Sequence, residues 1–118
     1  MYLKRAVSAW AAIILFCAWP AWGHAILMEA APAAKAVVNG KKVPVRLRFN
    51  SRVDGRRSRV ALVGPNGRER VLPISGQPSP DTLTAEAEGL APGQYTLRWQ
   101  VLAADGHITR GEVPFQAQ

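Results

Sequence analysis

Pro92-Gly93-Gln94-Tyr95-Thr96-Leu97-Arg98-Trp99-Gln100-Val101 is the stretch whose reading decides the fold. Tyr95, Leu97, Trp99 and Val101 fall on one side of an extended chain, and Thr96, Arg98 and Gln100 on the other. That is the period-two pattern of a half-buried strand. A tyrosine opening a strand just after a Pro-Gly turn also matches the tyrosine corner of Greek-key sandwiches. The alternation recurs upstream, where Val43, Val45, Leu47 and Phe49 interleave with Pro44, Arg46, Arg48 and Asn50. Turn residues separate the apolar runs: Asn39-Gly40, Asp54-Gly55 and Gly64-Pro65-Asn66-Gly67. Residues 25–28 read as a first short strand leading to a turn at Ala31-Pro32. Val60 and Leu62 begin another, residues 71–74 and 82–85 read as weaker strands, and residues 112–116 as the last. The Gly/Pro-rich piece 75–80 reads as a loop, and Met28 as a core or strand residue. The expectation is all-β: an immunoglobulin-like Greek-key β-sandwich of about seven strands.

Residues 1–23 read as a secretory signal peptide, with Lys4 and Arg5 ahead of an uncharged apolar stretch from Ala6 to Ala18 and Pro20 before the cleavage zone. The apolar stretch falls short of the ~20 residues of a membrane span. Cys17 lacks the small neighbours of a lipidation signal and reads as an apolar leader residue. Two cuts satisfy the small-residue rule. One follows Ala21-Trp22-Gly23 and makes His24 the first residue; the other follows Ala25 and releases Ile26. Cleavage at the first leaves one domain, residues 24–118. It contains no cysteine, which excludes disulfides and thiolate metal sites, and Trp99 is its single tryptophan.

Losing Lys4 and Arg5 takes the net charge from +7 to +5. Much of the excess lies in Arg46, Arg48, Arg52, Arg56, Arg57 and Arg59. Secretion, and the scarcity of aromatics among these arginines, argue against nucleic acid as a partner. Solvated outer faces of strands and a basic turn account for them, with attraction to an acidic partner or anionic lipid as the functional alternative.

The chain has two histidines, His24 and His107. A histidine at a free N-terminus can chelate one metal ion through its α-amine and its Nδ1. Asp105 and His107 add a carboxylate oxygen and a third nitrogen. A tetragonal N,O set suits Cu(II), which the Irving–Williams order also favours. Taken alone, Asp105-Gly106 reads as an ordinary turn and His107 as a loop residue.

Together these residues resemble the CopC-like family of periplasmic copper-resistance proteins. The resemblance spans His24-Ala25, Val45-Arg46-Leu47-Arg48-Phe49-Asn50, Pro92-Gly93-Gln94-Tyr95, and Trp99-Gln100-Val101-Leu102-Ala103-Ala104-Asp105-Gly106-His107 followed by Gly111 and Phe115. The last block is the specific part. The resemblance implies a periplasmic binding protein that holds one Cu(II) per chain through His24, Asp105 and His107, and a monomer is the expectation. It would sequester copper or deliver it to a CopD-type inner-membrane transporter. Some family members add a Met-rich Cu(I) site, but Met28 alone cannot build one.

Two rival readings follow from the same residues. An N-terminal histidine plus a second histidine is also the brace of copper polysaccharide monooxygenases, although 95 residues offer little surface for a polymer and Asp105 would close a position that oxygen activation needs. Cleavage at Ile26 would instead leave a metal-free immunoglobulin-like secreted binding module.

Overall fold

A computed structural model describes residues 24–118, so the leader read at residues 1–23 lies outside the described residues. Nine strands follow in order: β1 (Leu27–Ala31), β2 (Val37–Val38), β3 (Lys42–Phe49), β4 (Val53–Val63), β5 (Glu69–Leu72), β6 (Gly76–Ser79), β7 (Thr82–Glu88), β8 (Gly93–Ala103) and β9 (Ile108–Ala117). They form two sheets, β1-β3-β7-β6 and β2-β9-β8-β4-β5. All pairings are antiparallel except that of β2 with β9. The β4–β5, β6–β7 and β8–β9 hairpins stay within a sheet, and the other connections cross between sheets. This is the expected immunoglobulin-like sandwich, with nine strands in place of about seven, the additions being the two-residue β2 and the edge strand β6.

The two alternations read in the sequence supply the facing sides of the core. Val43, Val45, Leu47 and Phe49 of β3 are buried, as are Tyr95, Leu97, Trp99 and Val101 of β8. The Tyr95 hydroxyl donates to the carbonyl of Ala91, 2.7 Å away and four residues back. That closes the tyrosine corner over the turn that precedes β8. Trp99 meets Phe49 edge to face, with centroids 5.1 Å apart at 72°. Opposite Trp99 in the β8–β9 register stands Gly111. A Cβ there would lie 2.3 Å from the indole Cζ2, so the ring occupies the space a side chain would need.

Local sequence and structure part company at Asp54-Gly55 and at residues 75–80, while Asn39-Gly40 and Met28 are as expected in kind. Asp54-Gly55 does not reverse the chain, because β4 runs through it as an irregularity in the pairing with β8. Asp54 Oδ1 accepts the backbone N–H groups of Arg56 and Arg57, and Ser58 Oγ donates to the Asp54 carbonyl. The bond from Leu102 N–H to Ser58 Oγ keeps the bulge attached to β8. The segment read as a loop contains β6, an edge strand where Pro78 is tolerated. Asn39-Gly40 turns the chain, but between strands of different sheets. Met28 lies in β1 as a strand residue, yet it is 54% exposed and so is not part of the core.

Replacing Gly111 with Ala should lower the unfolding free energy by about 1–3 kcal/mol, the usual cost of overpacking. Tyr95→Phe, which leaves the Ala91 carbonyl unpaired, should cost about 1 kcal/mol. Urea denaturation reads both, and unchanged midpoints would contradict the packing described.

Candidate metal centre

The loop between β8 and β9 is a short hairpin connection, Ala104-Asp105-Gly106-His107. Its ends are tied by Ala103 N–H to the His107 carbonyl at 2.8 Å and Gly106 N–H to the Ala103 carbonyl at 2.9 Å. Gly106 has φ +88°, which only glycine adopts without strain. The turn therefore needs Gly between the two polar residues, and this explains the Asp-Gly-His spacing. Asp105 folds back on the third residue. Its Oδ1 accepts the His107 backbone N–H at 2.9 Å, and its Oδ2 lies 2.6 Å from His107 Nδ1. These contacts, led by the side-chain bond to His107, hold the Asp105 carboxyl below its ordinary pKa.

His24 arrives from the other end of the chain. Its neighbour Ala25 is buried, and the Ala25 carbonyl accepts a 3.1 Å hydrogen bond from Thr109 Oγ1 at the start of β9. Ile26 is gripped twice by the residue that follows β3: its N–H donates to Asn50 Oδ1 at 2.8 Å, and its carbonyl accepts from Asn50 N–H at 2.9 Å. These bonds fix the backbone immediately after His24 against both sheets. The His24 ring consequently stacks on that of His107, with centroids 5.0 Å apart and planes 21° from parallel.

One potential ligand atom from each of His24, Asp105 and His107 lies within 4.8 Å of the others, and all three residues are exposed. Donors opposite each other on an ion stand about 4 Å apart when each bond is about 2 Å. The separation suits one ion with only side-chain adjustment. Asp105 Oδ2 faces Nδ1 of His107, so ligation of one ion by both residues requires that contact to open. The arrangement joins two imidazoles and a carboxylate at an open surface, a set suited to a borderline divalent ion.

All three residues singled out in the sequence thus come together. Sequence patterning does not single out the residues that position His24. Asn50 reads only as the polar member of an alternating strand, although an asparagine at a strand end is a turn signal. Thr109 carries no local signal, because its role depends on Ala25 being near.

A model of the CopC domain matches residues 27–118. Protein YobA of Escherichia coli K12 is 33% identical over 100 residues, covering 82% of this chain and 81% of that protein. The crystal structure of CopC from Methylosinus trichosporium OB3b superposes with a TM-score of 0.72 at 33% identity, over 80% of this chain and 94% of the other. PcoC, described as a methionine-rich copper resistance protein from Escherichia coli, has the same fold with a TM-score of 0.63 at 20% identity, over 80% of this chain and 99% of its own. The chain belongs to the CopC family.

Proposed function

We propose that this is a periplasmic Cu(II)-binding protein of copper homeostasis or resistance, which sequesters the ion or passes it to a CopD-type inner-membrane transporter. Residues 1–23 are its signal peptide, and cleavage after Gly23 frees the α-amine of His24. One copper ion per monomer is the cargo. The amine and Nδ1 of His24, the imidazole of His107 and the carboxylate of Asp105 hold it.

The observation that carries this reading is the meeting of the chain's only two histidines, distant in sequence, beside a carboxylate. Family membership supports copper as the metal, and so does the name of the PcoC relative. The donor chemistry points the same way, since amine, imidazole and carboxylate select Cu(II) over softer Cu(I). Met28 is the only methionine among residues 24–118, so a thioether site for Cu(I) is not part of this proposal. Asp105 has two tasks here. Before the ion arrives it holds the His107 ring through the Oδ2–Nδ1 contact, and with the ion present its carboxylate turns to the cation as a ligand. With its carboxylate beside the two histidines, the site is built to hold an ion rather than to present an open position for catalysis.

Titration of mature protein with Cu(II), followed by calorimetry and electron paramagnetic resonance, tests the ligand set. His24→Ala and His107→Ala should each abolish high-affinity binding, while Asp105→Asn should weaken it by about 10–100-fold. A chain beginning at Gly23 should also bind more weakly, because its histidine no longer carries the free amine. Undiminished affinity in both histidine variants would overturn the site.

Affinity should decline as pH is lowered from 8 to 5. Amine and imidazole must lose protons to bind the metal. Asp105 does not contribute to that decline, since its lowered pKa keeps it ionised throughout the interval. A flat profile would contradict nitrogen ligation.

Asn50→Ala should fold and yet bind copper less tightly, because it frees the segment that places His24. An affinity equal to that of the unaltered protein would show that this grip is dispensable.

A further inference from the structure

The end of the sandwich that carries His24, Asp105 and His107 has a distinctive rim. Ile26 and Ile108 are the residues next to the two histidine-bearing segments, and they are 58% and 49% exposed. Both side chains stand in water beside the histidines, where a molecule seated over the site would cover them. The start of β4, where Val53 and Asp54 pair with Ala103 and Leu102 just before the metal loop, and the bulge that follows present Arg52, Arg56 and Arg57, all exposed. Arg52 and Arg57 share a cleft with Leu102, Ala104 and Gly106, so the basic segment borders the metal loop itself.

Two of these arginines, Arg52 and Arg56, are not paired with the described carboxylates around them. The three acids at this end are occupied within their own turns. Asp54 Oδ1 caps the N–H groups of Arg56 and Arg57, and its Oδ2 is 3.9 Å from Arg57 Nε. Asp81 accepts from the hydroxyls of Ser79 and Thr82. Asp105 is engaged by His107. Arg52 and Arg56 consequently have no ion-pair partner among the described residues. On the outer sheet faces, by contrast, Arg48 pairs with Glu29 at 2.8 Å and Arg59 with Glu69 at 2.8 Å.

We infer that this rim is a docking face for an acidic protein surface, that of the molecule with which the protein exchanges copper. The inference rests on the copper-binding reading and adds to it the surface and the chemistry of the partner. Exposed isoleucines beside the donors fit an apolar centre on the partner, and the free arginines fit carboxylates around it. A protein suits this face better than a bilayer does. Copper passes between ligand sets only when both come within bonding distance, and the rim surrounds the donors themselves. Long-range attraction between arginines and carboxylates would steer encounters and decay with ionic strength.

The test follows copper uptake from Cu(II)-loaded mature protein into membrane vesicles containing a CopD-type transporter, with vesicle copper measured over time by mass spectrometry. Phosphatidylcholine–phosphatidylglycerol vesicles without the transporter serve as the comparison. The double variant Arg52→Glu/Arg56→Glu should slow transfer at low salt by about tenfold or more, and added salt should slow the unaltered protein. Ile108→Ser should slow transfer at every salt concentration. Direct Cu(II) titration of the double variant should give the affinity of the unaltered protein. A lost affinity in the unaltered protein is failure of the copper reading, whereas intact affinity with a transfer rate indifferent to arginine reversal and salt overturns the docking face alone. Absence of transfer to the transporter also overturns it. Equal, arginine-dependent binding to the lipid vesicles would assign the rim to anionic headgroups and overturn the protein partner.

Discussion

The hydrogen bond from Thr109 Oγ1 to the carbonyl of Ala25 joins the beginning of the described chain to the start of its last strand. A neutral hydrogen bond of this kind contributes only about 1 kcal/mol, so it cannot act alone. It works with the burial of Ala25 and the paired bonds between Ile26 and Asn50. The three together confine a segment that lies just outside the strand ladder. His24 inherits its position from that confinement, because its own side chain is exposed and, among the described residues, its ring stacks on His107 alone. Loosening the segment would leave the sandwich intact and scatter the donors.

The other half of the site is rigid for a different reason. β8 and β9 pair over ten residue positions, from Gly93 with Ala117 to Leu102 with Ile108. Trp99 packs edge to face on Phe49 of the opposite sheet, its ring fills the space over Gly111, and the tyrosine corner of Tyr95 closes the turn before β8. The connection at its tip is short and closed by its own backbone bonds, so Asp105 and His107 have little freedom of main chain. The histidines are exposed while everything that supports them is buried or paired. An exchangeable ion needs both properties: access from solvent and donors already in place.

Much of this was legible before any coordinates. The alternations of β3 and β8 dictate which side chains enter the core, and a one-residue error would have placed Arg46 and Arg48 inside. The tyrosine corner was readable because its turn and its tyrosine are adjacent in sequence. Asp54-Gly55 and the 75–80 segment misled for one physical reason. Turn-forming composition marks what a backbone can do locally, and pairing with β8 and β7 decided otherwise. For the metal centre, the residue types and the Asp-Gly-His spacing were legible, but the meeting of His24 with His107 depends on Asn50 and Thr109, whose roles exist only in the folded chain.

Native mass spectrometry of the protein exported with its own leader and purified in the presence of Cu(II) tests the central claim most directly. The account predicts a chain beginning at His24 that carries one copper ion. A chain beginning at Ile26 without metal would contradict it, since the terminal amine and one of the two imidazoles would both be gone.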